Sequence, residues 1–383
     1  MEYQNLFPAI AGLTIQHCIM LIIGMLLIYL AIVKKYEPML LLPIGFGVIL
    51  VNIPFSAAIT QVDGQTGEIM RGVLSIFYEG GIATEIFPLL IFIAIGAMID
   101  FTPLFNHPHL LLFGAAAQLG IFVTIILATF LGFDIREAAS IGIIGAADGP
   151  TSIFVAARFA PDLLGPISVA AYTYMALVPV IQPPVIKLLT SRKERLIRMN
   201  THSTPVSRTT LILFPIVVTV ISGLIAPTAL SLIGFLMFGN LIRECGVLNK
   251  LSQTAQNELA GLVTILLGIT IASTMSAEKF LNVNTLIIIG LGMLAFVFDT
   301  FGGVIFAKLM NLFLPEDKKI NPMIGACGIS AFPMSARVIH QMGQKEDPGN
   351  YLLMPAVSAN VGGQIGSVIA GGIILTLVPL LLG

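Results

Sequence analysis

Apolar runs follow one another along the whole chain, at residues 14–33, 39–53, 86–98, 110–131, 138–157, 163–186, 209–241, 262–274, 283–307, 322–336 and 351–383. Several exceed the ~20 residues that an α-helix needs to cross a bilayer. A β-barrel would instead alternate polar and apolar residues in segments of about ten, so the runs specify an all-α polytopic membrane protein. Charged side chains make up 10% of the 383 residues, against about 25% in soluble domains. A net charge of −1 leaves no electrostatic footprint for nucleic acid. Cys18, Cys245 and Cys327 stand singly, with neither metal spacing nor a disulfide framework. Met1-Glu2-Tyr3 lacks a basic n-region, so no cleaved signal peptide is expected.

One run carries an anomaly. Between Ala138 and Ala157 the only ionisable side chain is Asp148, in Ile144-Gly-Ala-Ala-Asp148-Gly-Pro-Thr-Ser152. A carboxylate at the depth of lipid hydrocarbon is costly and marks a functional site by default. Gly149-Pro150 removes a backbone donor and breaks a helix there. An acid beside freed carbonyl groups at a helix break is how membrane proteins build cation sites. Loop charges give the sidedness. Residues 191–208 carry Arg192, Lys193, Arg195, Arg198 and Arg208 against Glu194, which makes that loop cytoplasmic by the positive-inside rule. Lys34-Lys35 points the same way, whereas residues 54–85 hold Arg71 against Asp63, Glu68, Glu79 and Glu85 and read as external. The N-terminus is then outside, and the spans alternate only if 138–157 enters and returns on one side as a re-entrant segment.

The chain also repeats itself. Residues 144–158 match 324–337 at an offset of 180, falling to 179 after one gap, and Tyr172, Met175 and Val178 match Tyr351, Met354 and Val357 at 179. A weaker match sets Ile95-Gly96 and Ile99 against Phe238-Gly239 and Ile242 at 143, which requires an insertion of 37 residues and carries no weight in the reading. Interrupted segments at corresponding places in two halves point to a transporter site at the repeat interface. The expected organisation is an inverted-repeat, transporter-like fold with a core and a scaffold. It divides into N-terminal scaffold helices (1–82), a first repeat (83–190), a cytoplasmic basic loop (191–208) and a second repeat (209–383).

In the second half Asn321 and Ser330 offer neutral oxygens to a cation. Ser330 and Arg337 are seven apart and share a helix face if Pro333 only kinks the helix. Asn321 is equally suited to cap a helix ahead of Pro322, and Arg337 to snorkel toward headgroups. Asn360 and Gln364 lie i, i+4 and face one way, toward a cation or toward interhelical hydrogen bonds. Tyr172 and Tyr174 are proton-relay candidates or members of an interfacial aromatic belt. Asp299 is a second intramembrane carboxylate, either a relay or a partner of Arg337, and is left unassigned. No P-loop, GxSxG, HExxH or Met-Lys-Met biotin-attachment motif occurs.

Gly145-Ala-Ala-Asp148-Gly-Pro-Thr151, Ala170-Ala-Tyr172-Thr-Tyr174-Met through Gln182-Pro-Pro184, and Asn321-Pro-Met-Ile-Gly325 through Ser330 to Arg337 resemble the β subunit of the sodium-pumping, biotin-dependent decarboxylases. That family includes oxaloacetate, methylmalonyl-CoA and glutaconyl-CoA decarboxylases. The resemblance implies an enzyme subunit in the cell membrane that decarboxylates carboxybiotin, exports Na+ and consumes an external proton. It implies a carboxyltransferase α subunit, a biotin-carrier domain and a small single-span subunit as partners, and a β homotrimer. It assigns catalysis to Asp148, Tyr174 and Arg337, with Arg337 toward carboxybiotin. It assigns Na+ to Asp148, Asn321, Gly325, Ser330 and Asn360. The alternative is a stand-alone secondary transporter, either a Na+/H+ antiporter or a Na+-coupled organic-anion carrier. A structural anchor is disfavoured, since an anchor needs no buried acid.

Overall fold

The computed structural model describes residues 8–62, 67–199, 205–225, 227–331 and 334–382. The expectations resting on Met1–Tyr3 and on a kink at Pro333 lie outside the described residues. Helix α1 (Ile15–Ile32) opens with a Thr14–His17 capping box and packs on α2 (Pro38–Val51). A two-stranded antiparallel ribbon, β1 (Gln61–Val62) and β2 (Ile69–Met70), lies in the external loop. α3 (Ile86–Met98) follows a short helical piece, Val73–Ile82, at a bend of 60°. Next come α4 (Leu111–Ala116) and α5 (Leu119–Phe130), one span interrupted at Ala117-Gln118. α6 (Ile135–Gly142) runs into a 3-10 turn, Ile143–Ala146, after which α7 (Gly149–Phe159) starts afresh. α8 (Leu164–Ala176) and α9 (Val178–Leu189) form a second bent pair, at 67°.

The second half holds α10 (Arg208–Ile225), α11 (Leu230–Glu244), α12 (Asn249–Thr274) and α13 (Val283–Asn311). A 3-10 segment, Pro322–Gly328, then leads to α14 (Met334–Glu346) and α15 (Leu353–Leu382). Among the described residues six helices are long and apolar enough to cross a bilayer, or up to eight if each bent pair is one span. The chain is therefore an all-α, multi-pass membrane protein. The apolar run at 209–241 holds two packed helices. Pro227 starts a 3-10 turn between them that reverses the chain. The run at 351–383 stays one helix of 30 residues.

Ion pairs mark the two faces. Arg158 at the end of α7 meets Glu85 at the start of α3 (3.5 Å), and Lys279 meets Asp162 (3.2 Å), both on the side of the external loop. On the other face Arg195 and Arg198 of the basic loop meet Glu346 and Asp347 at the end of α14, each at 2.7 Å, and Lys308 meets Glu194 at 3.2 Å. The α6–α7 pair thus ends on the side of residues 54–85, and the Pro322–Gly328 segment and α14 on the side of the basic loop, the opposite face. Their tips touch, Ser330 N donating to Ala146 O at 3.0 Å.

The weak match at offset 143 proves to be structural. A Cβ on Gly96 of α3 would lie 1.9 Å from Leu236 O, and one on Gly239 of α11 would lie 2.0 Å from Ile93 O. The glycines differ by 143, and so do the two carbonyl residues, so α3 and α11 cross on a local two-fold axis. Only glycine permits backbones this close. Asn240 pins the crossing by donating to Gly96 O and Ile99 O at 3.3 and 2.9 Å. The inserted residues are α12, which lies between α11 and α13 and has no counterpart between α3 and α5.

Candidate functional site

α6 begins at a capping box formed by Asp134 and Glu137 and buries Ala138–Gly142. After the 3-10 turn Ala147 is left-handed (φ 52°), a strained conformation for a residue with a Cβ and one that persists where surroundings enforce it. That turn delivers Asp148 to the N-cap position of α7, where freed N–H groups and the helix dipole favour a negative charge. The side chain is 3% exposed. Its Oδ2 accepts from Thr151 Oγ1 at 2.6 Å and from Ser367 Oγ of α15 at 2.9 Å. Ser367 Oγ in turn accepts from Ser330 Oγ, for whose single proton Gly363 O, at 3.0 Å, is the competing acceptor. Gln364 Nε2 donates to Ser330 O at 2.9 Å, and Asn360 Nδ2 to Ile329 O at 2.7 Å. The amide oxygens of Asn360 and Gln364 are buried without hydrogen-bond partners, so they remain available as acceptors or ligands.

A cavity of about 500 Å³ borders Asp148, Ser330 and Gln364 and continues past Tyr172 to Glu37, Gln256 and Asn257. Glu37 follows Lys34-Lys35, so the cavity opens toward the face that carries these lysines. Burial pushes the Glu37 carboxyl above the usual carboxylate range. Among the described residues no three His, Cys, Asp or Glu side chains gather. The donors around Asp148 are one carboxylate with hydroxyl and amide oxygens, a set matched to a hard cation of low charge.

The structure brings Asp148, Ser330 and Asn360 to one place, together with Gln364, and sets the other candidates elsewhere. Asn321 caps the 3-10 segment through Met323 N (3.1 Å), and its Nδ2 donates to Arg195 O and Ile197 O of the basic loop at 2.9 and 2.8 Å. Gly325 packs on Gly303, where a Cβ would lie 2.0 Å from the Gly303 carbonyl oxygen. Tyr174 donates its hydroxyl to Ile289 O of α13. Tyr172 is the tyrosine that borders the Asp148 cavity, its ring so close to Gly149 that a Cβ there would lie 2.1 Å from Cζ. Arg337 is exposed on α14. Ser330 precedes that helix, after extended backbone at Ile329, so Ser330 and Arg337 do not share a helix face. Asp299 does not pair with Arg337 and accepts from Gly120 N at 2.7 Å instead. Sequence reasoning missed Ser367, although it falls seven residues after Asn360 and three after Gln364, on the same face of α15. It also passed over Thr151, which the offset of 179 pairs with Ser330.

The sequence matches the family described as "Na+-transporting oxaloacetate decarboxylase beta subunit" over residues 16–378. It is 51% identical to the glutaconyl-CoA decarboxylase subunit beta of Acidaminococcus fermentans, over 94% of this chain and 93% of that one. It is 48% identical to the methylmalonyl-CoA decarboxylase subunit beta of Propionigenium modestum, over 96% of each. It is 45% identical to the oxaloacetate decarboxylase beta chain of Klebsiella pneumoniae, over 97% and 98%. Kinship of this extent, on a membrane fold whose two halves meet at a buried acid, makes the chain a member of the family of Na+-transporting decarboxylase β subunits.

Proposed function

We propose that the chain exports Na+ from the cytoplasm at Asp148 and couples that movement to decarboxylation of carboxybiotin brought by a partner subunit. The observation that carries the reading is the oxygen cluster itself, a single carboxylate among hydroxyl and unpartnered amide oxygens at the inner end of a cytoplasmic cavity. One Na+ would neutralise it and satisfy oxygens that have no hydrogen-bond donor. Asp148, Ser330 and Asn360 are the proposed ligands, with Thr151, Ser367 and Gln364 beside them. Asn321 and Gly325 act by holding the second re-entrant segment in place. Na+ and H+ compete for the same carboxylate, so a proton reaching Asp148 displaces the ion. Tyr172 borders that route, and Tyr174 braces α8 on α13.

Carboxybiotin supplies a C–N bond whose cleavage releases CO2 while the ring nitrogen takes up one proton. Arg337 is an exposed cation at the cytoplasmic return of the second segment and suits its carboxylate. Moving one charge against 100 mV costs about 2.3 kcal/mol, so a modestly exergonic decarboxylation drives one or two Na+ outward. The partners in this reading are a carboxyltransferase α subunit, a biotin-carrier domain and a small single-span subunit, with β as a homotrimer in the cell membrane. Residues 1–82 serve as scaffold, and the repeats at 83–190 and 209–383 carry the site. The test is Asp148→Asn in the complete complex reconstituted in proteoliposomes. Both 22Na+ uptake and CO2 release are expected to vanish, and full CO2 release by this variant would refute the assignment. A chain that carried Na+ with no biotin-bearing partner would support the secondary-transporter reading instead.

A further inference from the structure

Asp299, on α13, is a second fully buried acid that the Na+ site does not use. Its Oδ1 accepts from the backbone N–H of Gly120 at 2.7 Å. Gly120 lies in the first turn of α5, which starts just after the break at Ala117-Gln118, so an acid from one helix caps another. Positions 120 and 299 differ by 179, one short of the offset of 180 that holds ahead of Asp148, so the contact joins near-equivalent stretches of the two halves.

The other oxygen is isolated. Oδ2 is buried and without a hydrogen-bond partner. It is sealed by the Asp148 segment, because a Cβ on Gly145 would lie 2.4 Å from it. Thr124 lies one turn beyond Gly120 on the same face of α5, and its Oγ1 is also buried and unpartnered. α5 and α13 run antiparallel, Gly120 lying on Ala295 and Gly302 on Ala116. The Asp299 side chain leans toward the N-terminal end of α13, which is the direction of Thr124.

Among the described residues no cation answers this acid. α4, α5 and residues 143–146 carry no ionisable side chain. On α6, Arg136 is exposed and Glu137 is tied to Asp134 N. α8 presents Tyr172 and Tyr174, the latter bonded to Ile289 O. Lys187 on α9 is exposed, and Lys308, far along α13, is held by Leu189 O and Glu194. The 3-10 segment adds only the buried Cys327. Asp148 lies three residues beyond Gly145 and is itself an acid. A bare carboxylate in such a place is excluded by its desolvation. Na+ needs several oxygens and space for itself, and the contacts at Gly145 and Gly120 leave neither. A proton needs only an acceptor.

We propose that Asp299 is a second proton-binding site: it is a carboxylic acid in this state, its proton held on the buried Oδ2. It exchanges that proton only when the segment carrying Gly145 and Asp148 moves away. Occupancy at Asp148 and protonation at Asp299 are then linked through one moving part, and the linkage is reciprocal. The protonation stands apart from the Na+ reading, whereas the linkage rests on it.

Infrared spectroscopy of the complete complex in lipid tests the two separately. A protonated-carboxyl C=O stretch is expected at neutral pH in wild type and in Asp148→Asn, and it should be absent in Asp299→Asn. A spectrum without that band, or one that Asp299→Asn leaves unchanged, overturns the proposal. Asn keeps the Oδ1 acceptor and mimics the protonated acid. Turnover of that variant should fall at least tenfold, about 1.4 kcal/mol, with its Na+ affinity retained. Turnover with wild-type rate and pH profile would overturn the linkage even if the band is assigned. Sealed from water, the band should resist exchange when the resting complex is moved into D2O. A band that shifts at once counts against the geometry, including in the event that Asp299→Asn does not fold.

Discussion

The two re-entrant segments descend from one pattern and have been put to different uses. The first, α6 to α7, reaches its tip at a strained Ala147 and presents a carboxylate at a fresh helix N-terminus. The second, Pro322–Gly328 to α14, presents no acid. Its Asn321 is spent on the basic loop and its Gly325 on close packing, and only Ser330 reaches the oxygen cluster. Had both tips kept an acid, two carboxylates would face each other in low dielectric and one would have to stay protonated. A single acid with neutral oxygens from the other half is charge-balanced by one monovalent ion. The asymmetry, more than the repeat, therefore fixes what the pocket takes.

The comparison breaks at its strongest point if the acid tip is dispensable, and the loss of all transport in Asp148→Asn is the largest effect expected. Next are the hydroxyls that touch that acid. Thr151→Ala and Ser367→Ala each remove a hydrogen bond to a carboxylate, worth about 1.5–3 kcal/mol, so Na+ affinity should fall at least tenfold. Ser330 is the repeat partner of Thr151, but as a ligand it offers one neutral oxygen, and its loss leaves both hydrogen bonds to Asp148 intact. Ser330→Ala should therefore cost less, about threefold, since its hydrogen bond is to a neutral group. Titration of Na+-dependent turnover measures all three. Equal losses at Thr151 and Ser330 would mean that the halves contribute alike, against the geometry.

How much of this was legible in the sequence follows the same asymmetry. The re-entrant first segment could be read because an acid in an apolar run is rare and because loop charges forced it to return on one side. The face of α15 could be read from Asn360 and Gln364, since i, i+4 polar residues stand out among apolar ones. Asn321 read as ligand or cap with equal force, because a carboxamide before Pro322 serves either purpose and only its hydrogen bonds to Arg195 O and Ile197 O decide. Tyr172 and Tyr174 could not be ranked, being two residues apart on a helix whose rotation depends on α13. The α3–α11 crossing was visible only as a faint match at 143. Small apolar residues coincide by chance, and the reciprocal approach of Gly96 and Gly239 exists only in three dimensions.

Asn321 gives a sharper test of the two uses. Asn321→Ala removes an N-cap, which costs about 0.5–2 kcal/mol, and frees two loop carbonyl groups that Asn350 Nδ2 also reaches, at 3.2 and 3.4 Å. The expected result is a lower thermal inactivation temperature with Na+ affinity retained by the folded fraction. Asn360→Ala should do the reverse. A loss of affinity in Asn321→Ala with stability unchanged would return Asn321 to the ion.

The smallest effect is expected at the cavity mouth, where Glu37 borders the cavity beside Lys34-Lys35. Burial holds its carboxyl above the usual range, so it is neutral at acid pH and gains its charge only as pH rises through that raised value. A negative charge there attracts Na+, but across a hydrated cavity the attraction is screened. Glu37→Gln fixes the neutral form. Na+ affinity of the variant should match wild type at acid pH and fall behind on the alkaline side, by about twofold or less. The sign is the informative part. A deficit at acid pH that vanished on the alkaline side would require Glu37 to act while protonated, as a hydrogen-bond donor to the entering ion's water, and the mouth of the cavity would then belong with the neutral second segment rather than with the charged first one.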